Sequence, residues 1–204
     1  MNETPIFVGL AGGSGSGKSF LAKELKRTIA EKHSVRLLTL DRYYHCVTVA
    51  AFHPNESGNY DHPDALDKDL ILTHINALQS GQSVQVPDYC FLDRKREGGP
   101  TIDPARVILV EGLFALYWPS LLQQMDLTVF IDVPEEERLR RRIVRDAEVR
   151  GRGEESVRLQ WTTTVQPMYE QYIEPTAANA DLCVSGEAEV QTTVKQVLER
   201  LNLN

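Results

Sequence analysis

Apolar and polar positions along the chain follow two patterns, and each pattern predicts a different element. Short, largely continuous apolar runs are typical of strands that are buried on both faces of a parallel sheet. On this basis strands are predicted at residues 6–10, 35–40, 106–110, 127–133 and about 181–184. The second of these runs stops at Asp41.

Between the strands, apolar residues recur at the three- and four-residue spacing of amphipathic helices. The first helix starts at Lys18, and its apolar face consists of Leu21, Leu25 and Ile29. The second has an apolar side made of Leu66, Leu70, Ile71, Ile75 and Leu78. Asp64 is predicted to cap this second helix and Gly81 to close it. Further helices are predicted at about 135–148, 156–173 and 188–201.

Two segments depart from the helix and strand patterns. Residues 42–65 are aperiodic and rich in aromatic residues, which is long for a plain connection and typical of a functional loop. Residues 84–102 contain spaced aromatic residues and a Gly-Gly-Pro turn, a pattern that predicts a β-hairpin. Strands alternating with helices predict a doubly wound α/β fold with ligands at the carboxyl ends of the strands. We expect a single domain over 1–204, with a hairpin insertion at about 84–102.

Composition limits the range of functions. The chain has 204 residues, 42% of them hydrophobic, which suffices for one sizeable core. Its net charge of −7 argues against a general nucleic-acid binder or a binder of anionic membranes and favours a small-molecule substrate. No apolar run approaches the roughly 20 residues of a membrane span, and no signal peptide precedes the first strand, so a cytoplasmic location is expected. Cys46, Cys90 and Cys183 lack metal-ligand spacing and are expected to be reduced thiols.

The most informative motif is GGSGSGKS at residues 12–19, which matches G-x-x-x-x-G-K-[ST] between a predicted strand and helix. Its glycines allow successive backbone N–H groups to point into one concavity. The residues expected to bind the phosphates of ATP or GTP are Gly12, Gly13, Ser14, Gly15, Ser16, Gly17, Lys18 and Ser19. Lys18 is expected to reach the β and γ phosphates, and Ser19 to bind Mg²⁺ through its hydroxyl.

Acidic residues follow two of the predicted strands. Glu111 ends an apolar strand, a position suited to holding Mg²⁺, although it is also compatible with an ordinary strand-end acid. Asp41 ends the second strand and is expected near the phosphate loop, where it accepts the proton of a substrate hydroxyl. The alternative for Asp41 is a turn-forming acid. The neighbouring Tyr43 and Tyr44 are expected either to wall the substrate or to pack the loop.

Seven arginines lie between residues 138 and 152. At helical spacing, one face carries Leu139, Ile143 and Ala147, and another carries Arg138, Arg142 and Arg145. The arginine face has a simple interpretation as a solvated polar surface. The segment Arg150-Gly151-Arg152-Gly153 instead predicts a mobile lid, at about 145–156, that brings guanidinium groups onto phosphate.

Taken together, these motifs resemble those of the uridine kinases, and the resemblance covers most of the chain. The matching segments are the phosphate loop, D-R-Y-Y at 41–44, N-Y-D-H-P-D-A-L-D at 59–67, P-D-Y-C-F at 87–91, E-G at 111–112, R-R-I-V-R-D at 141–146, R-G-R at 150–152, and Gln160. The resemblance implies a P-loop kinase fold, an ATP or GTP donor, Mg²⁺ and a pyrimidine nucleoside acceptor. It also implies a homo-oligomer, since relatives are often tetramers.

The resemblance assigns roles to individual residues. Asp41 is implied as the general base for the ribose 5′-hydroxyl, with Lys18 and Arg145 beside it in catalysis. Arg150 and Arg152 are implied to bind the donor phosphates. The implied substrate contacts are Tyr44, Asp61, Tyr89, Phe91, Arg94, Arg142 and Gln160. Asp61 has a chemical rationale of its own, because a carboxylate can accept hydrogen bonds from two vicinal hydroxyls, although a helix-entry role is the alternative. His62, beside Pro63, is expected to be structural.

The hairpin departs from the family pattern. Arg94 stands where relatives carry a His that reads the base edge, and Cys90 replaces a polar residue. Arg only donates hydrogen bonds and stays charged, whereas neutral His both donates and accepts. The run Arg94-Lys95-Arg96 therefore fits a pyrimidine carbonyl, an anionic substrate or a solvated hairpin tip.

Three functions remain open on these grounds. The leading hypothesis is a Mg²⁺-dependent transfer of the γ-phosphate of ATP or GTP to the 5′-hydroxyl of uridine or cytidine. An alternative keeps this chemistry with an anionic acceptor, as in phosphoribulokinase-like enzymes. A nucleotide-binding protein without turnover is the third, and the retained Lys18, Asp41 and Glu111 argue against it.

Overall fold

The computed structural model describes residues 4–46, 59–91 and 93–203. Within these ranges the strands are β1 (Ile6–Gly12), β2 (Val35–Thr39), β3 (Val84–Cys90), β4 (Lys95–Ile102), β5 (Val107–Glu111), β6 (Leu127–Asp132) and β7 (Leu182–Ser185). Five of them form a parallel sheet in the described part of the chain, in the order β2-β5-β1-β6-β7. Strands β3 and β4 form the predicted antiparallel hairpin, which is a separate sheet.

Helices connect the parallel strands. The α-helices of the described ranges are α1 (Lys18–Ile29), α2 (Lys68–Gln79), α3 (Pro119–Leu122), α4 (Glu135–Arg150), α5 (Glu154–Gln160), α6 (Gln166–Met168) and α7 (Val190–Leu201). Segments of π-helix, Trp161–Val165 and Tyr169–Ile173, join α5 and α6 to the 3₁₀ segment Glu174–Asn179. The predicted doubly wound α/β fold is confirmed. The division into a single domain stays a prediction.

The central sheet is buried on both faces. Successive side chains of a strand point to opposite faces, so each strand contributes residues to both cores. On β1, Phe7 packs into a cluster that contains Ile71, Phe114 and Phe130. The next residue, Val8, packs into a second cluster with residues of α1 and α7. The continuous apolar runs that predicted the strands therefore reflect burial of the sheet on both sides.

One boundary of helix α2 differs from the prediction, and the other agrees with it. Asp67, not Asp64, is the N-cap of α2, and its carboxylate accepts a hydrogen bond from the backbone N–H of Leu70 at 3.1 Å. The Asp64 prediction is wrong because Pro63–Ala65 forms a short 3₁₀ turn that ends before the helix. Gly81 follows the end of α2 with φ +77°, as predicted for the residue that closes it.

The main difference from the prediction is which face of helix α4 is buried. Arg138 and Arg142 are 2% and 5% exposed, so the prediction of a solvated arginine face is wrong for both. Ala147, on the predicted apolar face, is exposed, and Leu139 is only half-buried. The reason is that the buried guanidinium groups have partners. Arg138 donates from Nε to the carbonyl of Val133 at 3.1 Å and stacks on an aromatic ring.

Part of the predicted functional loop at 42–65 falls on residues 47–58, which lie outside the described residues. The described ends of the loop are held to the main body. The hydroxyl of Tyr43 makes a 2.8 Å hydrogen bond to Nδ1 of His74 on α2. The backbone of Asp67 donates to the carbonyl of Tyr43 at 2.9 Å. Tyr43 therefore packs the loop down, and the alternative that it walls the substrate is wrong.

Candidate active site

The phosphate loop leaves β1 and enters α1 through glycines with positive φ. The φ angles are +153° at Gly12, +82° at Gly15 and +93° at Gly17, which side chains of L-residues strongly disfavour. A Cβ on Gly15 would also collide with the backbone carbonyl of Arg138 on α4. The loop thus packs directly against α4, and both the angle and the lack of space require glycine at position 15.

Two buried arginines of α4 contact this loop. Arg142 donates from Nη1 to the hydroxyl of Ser14 at 2.9 Å. A Cβ on Gly13 would lie 2.9 Å from Nη1 of Arg138. That nitrogen is buried and lacks a hydrogen-bond partner among the described residues. The predicted donor loop is therefore bordered by positive charge from a helix about 120 residues away in sequence.

The predicted metal ligands Ser19 and Glu111 lie together. Strand β5 pairs with β1, which places Glu111 beside the start of α1. The hydroxyl of Ser19 donates to Oε2 of Glu111 at 3.1 Å. Burial raises the pKa of Glu111, while the charge of Lys18 opposes and that of Asp41 reinforces this shift.

The chemistry of this pair fits a magnesium ion. Mg²⁺ prefers oxygen ligands and is usually held by one or two protein groups together with substrate phosphates. A hydroxyl and a carboxylate next to a phosphate loop provide that donor set. Within the described ranges, no group of three or more His, Cys, Asp or Glu residues is placed to hold a metal by itself.

A cleft of about 780 Å³ opens where β1, β2 and β5 end. The predicted site residues on its wall are Ser14, Lys18, Asp41, Tyr44, Asp61, Phe91, Arg94, Arg142, Arg145, Arg150, Arg152 and Gln160. Strand β5 separates β1 from β2, yet Lys18 and Asp41 still face the same space because all three strands end at one edge of the sheet. The structure therefore brings the predicted donor, base and substrate residues together.

Asp61 is a buried carboxylate in this cleft. Nη1 of Arg142 lies 4.0 Å from its Oδ1. Burial raises the pKa of Asp61, the charge of Arg142 lowers it, and the negative charge of Asp41 raises it again, for a net upward shift. Vicinal hydroxyl groups would donate hydrogen bonds to this desolvated carboxylate without adding charge.

An aromatic cluster forms the wall next to Asp61. Its members, from the loop and the hairpin, are Tyr44, Tyr60, Tyr89 and Phe91. Tyr44 donates from its hydroxyl to the carbonyl of Tyr60 at 2.9 Å, and the hydroxyls of Tyr60 and Tyr89 are 3.0 Å apart. Tyr89 is buried against the other rings rather than lining the described wall, so it supports Phe91 from the side.

The predicted lid follows the end of α4. Gly151 ends the helix with φ +63°, and Arg150 and Arg152 on either side of it both line the cleft. Arg152 and Arg142 both donate to Oε1 of Gln160, at 2.5 Å and 3.1 Å. The predicted phosphate and substrate residues thus form one hydrogen-bonded group, while the mobility of the lid stays a prediction.

The hairpin residues that differ from the family pattern lie in the same cleft. Arg94 and Cys90 both line it. Arg94 adopts φ +53°, a conformation that residues other than glycine seldom take, at the turn between β3 and β4. The thiol of Cys90 lies 3.4 Å from a carboxylate oxygen of Asp93. The three cysteines are free thiols.

Sequence reasoning gave no role to two residues that the structure brings into this region. Tyr60 lines the cleft, and Asp146 lies fully buried beneath the cleft arginines. The available signal for Asp146 was its position as an acid one helical turn after Arg142, within a run of basic residues. His62, predicted as structural, bonds Tyr172 through Nε2 at 3.1 Å.

A second cavity, of about 510 Å³, adjoins the other side of the phosphate loop. Loop residues Ser16 and Gly17 contribute to it, as does the segment after β7, including Gly186. Arg141 crosses its wall and donates from Nη1 to the carbonyl of Gly186 at 3.1 Å. Both cavities therefore meet at the phosphate loop.

Comparisons with known proteins identify relatives in sequence and in fold. A sequence profile of the Phosphoribulokinase / Uridine kinase family matches residues 7–193. A uridine kinase from Staphylococcus epidermidis is 41% identical over 185 residues, which make up 90% of this chain and 88% of that protein. A uridine kinase from Vibrio vulnificus is 41% identical over 183 residues, 88% of this chain and 86% of that protein.

Solved structures share the fold. A chain from Bacillus stearothermophilus, described as a possible uridine kinase, superposes with a TM-score of 0.67 at 17% identity and covers 90% of both chains. At this identity the likeness concerns the fold alone. In the described part of the chain, no helix has the length and apolar character needed to cross a membrane.

Proposed function

This chain belongs to the phosphoribulokinase and uridine kinase family, and from that membership we propose that it transfers the γ-phosphate of ATP or GTP to the 5′-hydroxyl of uridine or cytidine. The observation that carries the proposal is the shared cleft, in which Lys18 of the phosphate loop faces Asp41 and Asp61. A phosphoryl donor and an alcohol acceptor need such an arrangement, because transfer requires the two substrates in line.

The donor half of the site is the phosphate loop. Its backbone N–H groups and Lys18 would hold the β and γ phosphates. Ser19 and Glu111 would hold a Mg²⁺ ion, which when bound neutralises charge on the phosphate oxygens. The 510 Å³ cavity beside Gly17 would take the nucleoside part of the donor, since it opens onto the same loop away from the acceptor cleft.

The acceptor half is the wall formed by Asp41, Asp61 and the aromatic cluster. Asp41 would accept the proton of the 5′-hydroxyl as that oxygen attacks the γ-phosphorus. Asp61 would accept hydrogen bonds from the ribose hydroxyls and so fix the sugar. Tyr44 and Phe91 would bound the base, because flat rings supply apolar contact area for a flat heterocycle.

The arginines would act on the developing charge. Arg145, Arg150 and Arg152 line the cleft and carry guanidinium groups that match phosphate oxygens. Arg142 connects the two halves, because it donates to Ser14 of the donor loop and lies 4.0 Å from Asp61 of the acceptor wall. Closure of these groups over the substrates would exclude water and limit hydrolysis of the donor.

The direct test is turnover by the purified protein. Uridine or cytidine, Mg²⁺ and either ATP or GTP are expected to yield the nucleoside 5′-monophosphate, detected by chromatography and mass spectrometry. Adenosine and ribose serve as acceptors of the wrong shape. Phosphate transfer to an unrelated metabolite, with none to either pyrimidine nucleoside, would overturn the proposal.

An anionic acceptor is the second candidate, and Arg94 is the observation that favours it. This side chain faces the cleft where the base of a nucleoside would lie, and it adds a charge that a neutral base does not need. A panel of sugar phosphates assayed beside uridine separates the two candidates. The cytoplasmic location and the homo-oligomer stay predictions.

A further inference from the structure

The buried carboxylate of Asp146 lies at the centre of the cleft arginines. Its side chain is 0% exposed, so no substrate can touch it in this conformation. Within the described residues, the arginines within 4 Å of it are Arg142, Arg145, Arg150 and Arg152. All of these arginines line the acceptor cleft, whereas Asp146 does not.

The carboxylate oxygens divide the arginines into pairs. Oδ1 lies 2.8 Å from Nη2 of Arg145 and 3.6 Å from Nη1 of Arg150. Oδ2 lies 3.4 Å from Nη1 of Arg152 and 3.7 Å from Nε of Arg142. One planar group therefore fixes the relative positions of guanidinium groups that come from α4 and from the segment after it.

Each pair reaches a different part of the site. On the Oδ2 side, Arg142 and Arg152 share Gln160, and Arg142 continues to Ser14 of the phosphate loop. On the Oδ1 side, Arg150 lies over Phe91 of the hairpin. The position of Asp146 thus determines where the positively charged guanidinium groups contact the donor loop, the acceptor wall and the hairpin.

The chemistry of these groups allows a positioning role. A guanidinium group has five N–H donors, so an edge held by Asp146 leaves others free for phosphate oxygens. Without the carboxylate, neighbouring positive charges would repel one another and the side chains would spread. Groups that are already in place stabilise a transition state better than groups that must move during the reaction.

We propose that Asp146 is a positioning residue for phosphoryl transfer, which holds the cleft arginines in the arrangement that the transition state requires. The proposal rests on the proposed function, because it takes the arginines to act on the transferred phosphate. Asp146 acts through Arg142, Arg145, Arg150 and Arg152 and does not contact the reacting atoms. Its removal should therefore affect the rate of transfer more than the binding of the donor.

The test is Asp146→Asn, which keeps the shape and removes the charge. We expect kcat to fall at least tenfold, while one Mg·ATP still binds per chain with a Kd within threefold of the wild-type value. A purely structural role would instead lower the melting temperature and the bound nucleotide per chain together. A kcat within threefold of wild type would overturn the proposal, as would loss of activity in strict proportion to loss of binding-competent protein.

If the Asp146→Asn variant does not fold, the Asp146→Glu variant tests the positioning role instead. It keeps the negative charge and moves the carboxylate by one methylene, so it separates charge from position. We expect it to bind Mg·ATP and to lose at least threefold in kcat, and a wild-type kcat would overturn the proposal. Glu24→Gln is the matched control, because Glu24 pairs with Arg27 at 3.0 Å on α1, outside the cleft. Its kcat should equal that of wild type.

The same measurements distinguish this proposal from the proposed function. Wild-type protein with uridine and cytidine tests the function alone. If it transfers phosphate to neither, the function fails, and the Asp146 variants are compared by the slow hydrolysis of Mg·ATP, in which water replaces the acceptor. Equal rates of Mg·ATP hydrolysis in the variants and in wild type would overturn the positioning role.

Discussion

The guanidinium group of Arg150 lies over the ring of Phe91, with 5.2 Å between its central carbon and the ring centroid. Arg150 is the last residue of α4, and Phe91 follows the first strand of the hairpin. The predicted lid and the predicted appendage therefore meet across the cleft, and a cation–π contact holds them there.

Asp41→Asn tests the general base. An amide cannot accept the proton of the 5′-hydroxyl, so kcat should fall by about 10²-fold or more, while Mg·ATP binds as tightly as before. Steady-state kinetics and calorimetric titration measure the two quantities separately. Asp103→Asn is the control, since this exposed acid lies outside the cleft, where it pairs with Arg36 at 4.0 Å and accepts a hydrogen bond from the hydroxyl of Ser83 at 2.8 Å. Weaker nucleotide binding at unchanged kcat would reassign Asp41 to the donor site.

Asp61→Asn tests recognition of the ribose. The variant should raise the KM for uridine at least tenfold and change the KM for ATP by less than threefold. The sharper measurement is a double-mutant-type cycle, in which wild type and variant are each assayed with uridine, 2′-deoxyuridine and 3′-deoxyuridine. Loss of a hydroxyl should weaken wild type more than it weakens the variant, because the partner of that hydroxyl has already been changed. Equal losses in both proteins would show that Asp61 does not meet the ribose.

Gly15→Ala tests the geometry of the donor loop. A methyl group at this positive-φ position would meet the backbone of Arg138, so the loop or α4 must shift. We expect Mg·ATP affinity to fall by about 100-fold or more. Gly98→Ala on the hairpin is the matched control, because its added Cβ makes ordinary contact, 3.6 Å from the side chain of Gln85. Equal nucleotide affinity in the two variants would contradict the assigned loop.

The pKa shifts of Glu111 and Asp61 predict a dependence of stability on pH. Both pKa values are raised above their ordinary values of 4.5 and 3.8, chiefly by burial. Above those values the unfolded chain releases these protons while the folded protein retains them. The contribution of each group to the free energy of unfolding therefore falls as pH rises toward the folded pKa, and the loss persists at higher pH.

Glu111→Gln should remove this penalty. Without nucleotide or Mg²⁺ at pH 7.5, the variant should melt at a higher temperature than wild type, because it carries no buried negative charge. Near pH 4 the difference should vanish. Thermal melts across the pH range measure it, and a variant less stable than wild type at pH 7.5 would contradict the predicted sign.

Arg94→His tests the choice of acceptor. Neutral His can donate and accept at a base edge, so kcat/KM for uridine should rise at least threefold relative to that for a sugar phosphate. Lys95→His provides the control, since this adjacent residue is exposed and does not line the cleft. An equal rise in both variants would indicate a general loss of charge rather than a change at the base.

Local patterns were sufficient to predict several parts of the molecule. The phosphate loop and Glu111 follow from short motifs at strand ends, where neighbouring residues alone determine the geometry. The hairpin follows from turn residues and spaced aromatic residues. The strand order did not follow, because parallel pairing of β5 between β1 and β2 depends on contacts far apart in sequence.

The face of α4 could not be predicted from periodicity alone. Arg138 and Arg142 are buried because Tyr169, Gln160 and Ser14 supply partners from distant segments. A hydrophobicity pattern treats every arginine as solvated, so it assigned the wrong side of the helix to the interior. The same reason hid Asp146, whose importance depends on arginines that are themselves buried.

The position of β5 affects how activity is acquired during folding. Strands β1 and β2 are consecutive in the chain but do not pair with each other in the described sheet. Both pair with β5, which arrives some 70 residues after β2. Until β5 inserts between them, Ser19 has no Glu111 beside it and Lys18 and Asp41 have no common edge. Closing such long-range parallel contacts is slow compared with forming local helices. Recovery of catalysis after denaturation therefore reports the completion of the sheet, and helical signals should return before it.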